Sequence, residues 1–166
     1  GVIARSADYR PGDPLDPETK MGPLASRARL AGVEEHVLHA REDGAESVVG
    51  GGAYDGSEVP ADGVYFEPTI FTGVSPDSRL AQQEVFGPVL AIVTVKDDDE
   101  AIRVANNSDY GLAAGLWTSD VSKVHRLSRR LRAGTVWVNC YEEGDLTVPF
   151  GGYKLSGNGR DKSRHA

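Results

Sequence analysis

The spacing of apolar and polar positions divides the chain into alternating helical and extended stretches. Residues 2–7 read as the last turns of a helix, stopped by Arg10-Pro11-Gly12. Asp13-Pro14-Leu15-Asp16-Pro17 follows as a rigid loop, because each proline fixes its own φ and restricts its predecessor. Leu30, Val33, Val37 and Ala40 fall on one face of a helix predicted over 25–43 and ended by Gly44. Residues 45–49 form a short strand stopped by Gly50-Gly51-Gly52, and 53–63 is polar turn material. Residues 65–74 are strand-like, with Pro68 marking an edge or a bend. Ser75-Pro76-Asp77 opens a short helix reaching Glu84, with Ser75 or Asp77 as its cap. The β-rich run 88–95 reads as buried on both faces. A helix over 97–106 begins with the acidic turn Asp97-Asp98-Asp99-Glu100, which suits the helix dipole. Residues 112–117 form a strand, Val121, Val124, Leu127 and Leu131 stripe a helix ended at Gly134, and 135–139 is a further strand. Beyond it, 141–160 is Gly-rich and has no apolar period. Strands alternating with amphipathic helices predict an α/β fold, a layered open sheet flanked by helices.

Charge narrows the function classes. With 18 Lys and Arg against 25 Asp and Glu, the net charge of −7 argues against a nucleic-acid binder or a partner of anionic membranes. The longest apolar run, Val89-Leu90-Ala91-Ile92-Val93, is far too short to span a bilayer. The single Cys140 cannot close an internal disulfide, and no basic-then-apolar leader opens the chain; together these give the expectation of a cytoplasmic protein.

Generic chemical motifs are mostly missing. The chain has no G-x-G-x-x-G, no Walker A loop and no G-x-S-x-G elbow. Glu35-His36-x-x-His39 sets two imidazoles about one turn apart, but with no third ligand evident a solvated helix face is expected and no metal. Asn106-Asn107-Ser108 fits the glycosylation pattern without a leader peptide to make it relevant. Cys140, between a strand and a Gly-rich loop, has the placing of a nucleophile, yet its neighbours Glu142, Glu143 and Asp145 are carboxylates that disfavour a thiolate. A pocket or core thiol is the expectation. Glu84, at a helix end before Phe86-Gly87-Pro88 and a strand, carries a stronger signal. A carboxylate there can accept two hydrogen bonds from vicinal hydroxyls, and Phe86 can lie against a flat heterocycle. A solvated helix end is the plain alternative.

Glu84-Val85-Phe86-Gly87-Pro88-Val89 and Asn106-Asn107-Ser108-x-Tyr110-Gly111-Leu112 resemble segments of the NAD(P)-dependent aldehyde dehydrogenases. Ala133-Gly134-Thr135-Val136-Trp137-Val138-Asn139, Pro149-Phe150-Gly151-Gly152-Tyr153-Lys154-x-Ser156-Gly157-x-Gly159-Arg160 and Gly12-Asp13-Pro14-Leu15-Asp16-Pro17 extend the resemblance over essentially the whole chain, in family order. Gly144-Asp145-Leu146-Thr147-Val148-Pro149 and Gly157-Asn158-Gly159-Arg160-Asp161-Lys162-Ser163 are most similar to enzymes acting on 4-(γ-glutamylamino)butanal and related ω-aminoaldehydes.

The resemblance implies that a cysteine thiolate attacks the aldehyde, hydride passes to NAD or NADP, and a glutamate base activates water to release the acid. It places the nucleophile, the base and the Rossmann domain upstream of these residues, so that 1–166 corresponds to the C-terminal portion of the catalytic domain and holds no catalytic residue. Glu84 then matches the carboxylate on the nicotinamide ribose and Phe86 the ring beside the nicotinamide. Cys140, Glu142, Gly144 and Phe150 fall on the loop lining the aldehyde tunnel. Gly144 stands where an aromatic is common, implying a wider tunnel. Glu142 either pairs with a substrate ammonium or is a solvated loop carboxylate. Expected partners are the aldehyde, the remainder of the catalytic and Rossmann domains, and further copies in a homo-oligomer, since faces meant for other parts are left open.

Two readings follow from different classes: part of an aldehyde-oxidising enzyme, inactive by itself, or a non-catalytic module that self-associates. Within enzymes, a semialdehyde or betaine aldehyde dehydrogenase is the alternative.

Overall fold

A computed structural model describes residues 1–165, which divide into two compact units, Gly1–Thr94 and a second from Val95 onward. In the first, helix α1 (Val2–Ser6) and a 3-10 turn (Ala7–Tyr9) lead into turns and then α2 (Arg27–Glu42). Ser26 caps α2 by accepting from the Arg29 N–H at 3.1 Å, and Gly44 at φ 86° ends it. The expected apolar face is buried at Val33, Val37 and Ala40, packed on Phe66, Phe71, Val74 and Leu80.

The strands of this unit are β1 (Glu46–Val49), β2 (Ala53–Tyr54), β3 (Tyr65–Phe66), β4 (Thr69–Thr72) and β5 (Val89–Ala91), with the single helical turn α3 (Arg79–Gln82) before β5. The stretch 65–74 is cut at Pro68, where the missing N–H cannot continue a ladder. Its first half pairs antiparallel with β2, inside the segment expected to be turn; its second half enters a separate sheet ordered β1-β4-β5. There β4 runs antiparallel to β1 and parallel to β5. The central place of β4 explains why Thr69, Ile70 and Phe71 are buried, and Thr69 satisfies its hydroxyl by donating to the Glu67 carbonyl at 2.8 Å.

Three expectations are corrected here. The run 88–95 is not covered on both faces: β5 is three residues long, lies at the sheet edge, and leaves Leu90 45% exposed. The helix before Glu84 starts at Arg79 and is capped by Ser78, not Ser75 or Asp77, because the Ser75 carbonyl draws the Ser78 N–H and hydroxyl into a preceding turn. His36 is not on a solvated face. It is buried beside the core, and its Nδ1 finds no partner among the described residues, whereas His39 pairs at the surface with Glu35 and Glu42.

The second unit contains α4 (Asp98–Asn106), β6 (Tyr110–Gly111), β7 (Ala113–Leu116), α5 (Val121–Ser128), β8 (Thr135–Val138) and β9 (Tyr153–Lys154). Asp97 caps α4 and Asp120 caps α5. Asp98 accepts from Lys123 at 3.0 Å and from Arg126 at 2.6 Å, and the Lys123 ammonium, the larger influence, holds its carboxyl below the ordinary range. β7 and β8 pair in parallel across the α5 crossover. α5 stops six residues before Gly134 because Asn106 captures the following turn, donating to the Arg130 carbonyl at 2.8 Å and accepting from the Arg132 N–H at 2.7 Å. β9, inside the segment expected to be loop, pairs with β6, and the Lys154 ammonium donates to the carbonyls of Asn106 and Ser108 at 3.0 and 2.6 Å. Among the described residues no helix is long and apolar enough to cross a membrane.

Burial, followed by the Arg79 charge, lowers the His36 pKa below its ordinary value. The unfolded chain therefore binds more protons than the folded one near pH 6.5, so this contribution is present above that pH and is lost as pH falls. Thermal unfolding should move to lower temperature between pH 7.5 and 5.5, and His36→Leu should flatten that fall. An unchanged slope in the variant would contradict the assignment.

Candidate functional site

In the first unit the functional signal concentrates on the turn joining α3 to β5. Gln83, which ends α3, is already extended, so Glu84 lies just beyond the helix. Val85 turns inward onto the core around Val33, while Glu84 and Phe86 are exposed on either side of it. The Glu84 carboxylate takes no hydrogen bond or ion pair among the described residues. Phe86 has φ 54°, a conformation costly for an aromatic residue, and its ring is 59% exposed. On one face the ring meets the Arg29 guanidinium, whose central carbon is 4.7 Å from the ring centroid.

α2 sets the position of this turn. Arg29 touches Phe86, and Gly87 lies so close to Val33 that a Cβ there would come within 2.5 Å of Val33 Cγ2. Glu35 accepts from Arg79 at 2.8 Å, and Arg79 also donates to Gln83 at 3.0 Å, fixing the helical turn just before Glu84. The Arg79 guanidinium holds the Glu35 carboxyl below its ordinary pKa, first through that hydrogen bond. At the other end, the Pro88 carbonyl accepts from Thr69 N–H at 2.8 Å, joining the turn to the sheet. The result is a free carboxylate and an open aromatic ring two residues apart on an anchored loop. That donor-free, acceptor-rich pair fits a ribose diol beside a flat heterocycle.

In the second unit, a cleft of about 410 Å³ brings together Glu142, Gly144 and Phe150. Its other walls include Trp137, Glu143, Asp145, Val148 and Lys162. Trp137 donates its indole N–H to the Glu143 carbonyl at 2.8 Å and packs on Tyr141 with centroids 5.2 Å apart. Asp145 accepts from the Thr147 N–H and hydroxyl, each at 2.8 Å; the N–H, then the hydroxyl, lowers its pKa. Phe150 and Asp161 exchange two backbone hydrogen bonds at 2.9 Å, closing the loop on itself.

Cys140 does not line this cleft; it is half-buried and free. It follows Asn139, whose side chain bonds both the N–H and the carbonyl of Thr118, at 2.9 and 3.0 Å. The sequence does not mark Glu143, Trp137 or Lys162 as cleft residues. Trp137 is visible as an aromatic on a predicted strand, whereas Lys162 comes to the cleft only through the Phe150–Asp161 pairing, which no periodicity signals. Among the described residues no group of three or more His, Cys, Asp or Glu is arranged to hold a metal.

Comparison with known proteins gives these side chains a context. The family model described as "Aldehyde dehydrogenase family" matches residues 1–166. The NADP/NAD-dependent aldehyde dehydrogenase PuuC of Escherichia coli (strain K12) is 44% identical over 162 residues, covering 98% of this chain and 31% of that protein. A betaine aldehyde dehydrogenase of Cereibacter sphaeroides is 47% identical over 165 residues, covering 99% of this chain and 33% of its own length. Among solved structures, the gamma-glutamyl-gamma-aminobutyraldehyde dehydrogenase of Burkholderia cenocepacia J2315 is 48% identical, with a TM-score of 0.92 over 99% of this chain and 32% of that one. The P. syringae indole-3-acetaldehyde dehydrogenase AldA, solved as a C302A mutant with NAD+ and IAA, is also 48% identical, with a TM-score of 0.94 over 99% of this chain and 33% of its own. The chain thus spans about a third of the length of the relatives it matches.

The Gly87–Val33 contact yields a test. Gly87→Ala should cost about 1–3 kcal/mol of stability, because the added methyl must push the turn away from α2. Urea unfolding reads this; a variant as stable as the parent would show that the turn yields freely.

Proposed function

This chain belongs to the aldehyde dehydrogenase family, and on that footing we propose that it is the C-terminal portion of the catalytic domain of an NAD(P)+-dependent enzyme that oxidises an ω-aminoaldehyde, such as 4-(γ-glutamylamino)butanal, to the acid. The observation that carries the reading is the anchored turn with the unpaired Glu84 carboxylate and the open Phe86 ring. The cofactor, NAD+ or NADP+, supplies the hydride acceptor when bound. Glu84 accepts from the hydroxyls of its nicotinamide ribose, and Phe86 lies beside the ring. Glu142, Gly144 and Phe150 wall the approach of the aldehyde, while Cys140, outside the cleft, is a structural thiol and not the attacking sulfur. The attacking thiolate and the general base belong to other parts of the enzyme, so the 166 residues alone produce no NADH.

The overall reaction takes the aldehyde, NAD(P)+ and water to the carboxylic acid, NAD(P)H and a proton. The carboxylates of Glu142 and Glu143, unpaired among the described residues, favour an aldehyde whose far end carries an ammonium group. Trp137 and Phe150 beside them favour betaine aldehyde as a second reading, since aromatic faces hold quaternary ammonium groups. Exposed apolar side chains such as Leu15, Leu90 and Leu155 are then covered by the remainder of the catalytic and Rossmann domains or by other subunits of a homo-oligomer. Neither nucleic acid nor membrane belongs to this reading, and the location proposed is the cytoplasm.

Glu84→Gln in the full-length enzyme should slow single-turnover NADH formation about tenfold, through loss of charge-assisted hydrogen bonds to the ribose. An unchanged burst would remove Glu84 from this role.

A further inference from the structure

The cleft of the second unit carries charges of both signs that no ion pair neutralises among the described residues. Lys162 forms no ion pair among the described residues, and neither do Glu142 and Glu143. The position of the Lys162 ammonium is set from two sides. It lies 5.0 Å from the centroid of the Phe150 ring, and a Cβ built on Gly144 would sit 3.9 Å from it. The backbone on each side of Lys162 is tied to the opposite strand of the loop: Asp161 pairs with Phe150 at 2.9 Å, and the Ser163 N–H donates to the Leu146 carbonyl at 2.8 Å. Lys162 and Ser163 both hold positive φ, 58° and 67°, so the chain turns sharply where Lys162 joins the cleft wall.

The mixture of charges discriminates between ligands. A far end bearing only an ammonium would meet Lys162, and one bearing only a carboxylate would meet Glu142, Glu143 and Asp145. A group with both satisfies each wall, and the volume of about 410 Å³ suits a small molecule of this kind. We propose that the cleft receives an amino-acid headgroup at the far end of the aldehyde. Lys162 takes its carboxylate and Glu142 its ammonium, while the aliphatic spacer lies along Trp137, Val148 and Phe150. This rests on the reading of the chain as part of an aldehyde-oxidising enzyme, and it makes Lys162 a specificity-determining residue. Because both charged groups are solvent-exposed, each contributes a modest selectivity.

Steady-state kinetics of the full-length enzyme with three probes tests it: 4-(γ-glutamylamino)butanal, which is zwitterionic at its far end; 4-aminobutanal, which is only cationic; and succinate semialdehyde, which is only anionic. In the parent enzyme the zwitterionic aldehyde should have the lowest KM. Lys162→Gln should raise that KM about fivefold with kcat within about twofold, and should leave the KM for 4-aminobutanal level or lower it. Lys162→Arg should restore the parent value, which a merely structural lysine would not require. An unchanged KM for the zwitterionic aldehyde in Lys162→Gln, or an equal rise for all three probes, would overturn this inference and leave aldehyde oxidation standing. No NADH from any of the three with the parent enzyme would overturn the enzymatic reading and the inference with it.

Discussion

Val33 on α2 and Gly87 on the turn before β5 approach so closely that a Cβ at Gly87 would come within 2.5 Å of Val33 Cγ2, and the position of the turn depends on that contact. α2 buries Val33, Val37 and Ala40 on the sheet, so its position is set by the core. The turn inherits that position through Gly87, through Arg29 on Phe86 and through Glu35 on Arg79. A free carboxylate on a loose loop would be only a solvated charge. Held this way, Glu84 and Phe86 stand at a fixed spacing, which in the proposed role would leave little ordering to oppose cofactor binding.

The second unit solves a similar problem with polar side chains instead of a core. Asn106 ties the end of α5, Asn139 ties the end of β8 to Thr118, and Lys154 ties β9 to the loop after α4. These amide and ammonium bonds to backbone groups stand in for ladders that short strands cannot supply. They frame the long loop from Tyr141 to Arg160, whose own closure depends on the Phe150–Asp161 pair and the Asp145 turn. The cleft is therefore built from backbone restraint, with exposed side chains free to meet a ligand.

Much of this architecture is legible in the sequence where apolar periodicity is clear. The helix expected over 25–43 and found at 27–42, the acidic first turn of α4 and the strand at 135–138 follow from apolar spacing, a stopping glycine and charge at a helix start. Burial on both faces of 88–95 did not follow, because an apolar run records what a strand can bury and not whether a neighbour is there to cover it. His36 reads as solvated because histidine beside Glu35 suggests a polar face, yet it lies three residues after Val33 and four before Ala40, on the face that α2 buries. Of the proposed site, Glu84 and Phe86 were visible as a local motif. Lys162 was not, since a hydrogen-bonded pairing across eleven residues, Phe150 to Asp161, brings it to the cleft.

The most direct measurement is a crystal structure of the full-length enzyme with its nicotinamide cofactor bound. The account predicts both Glu84 carboxylate oxygens within hydrogen-bond distance of the nicotinamide ribose hydroxyls, and the Phe86 ring against the nicotinamide side of the cofactor. A cofactor whose ribose is held by other residues, with the Glu84 carboxylate turned to solvent, would contradict it.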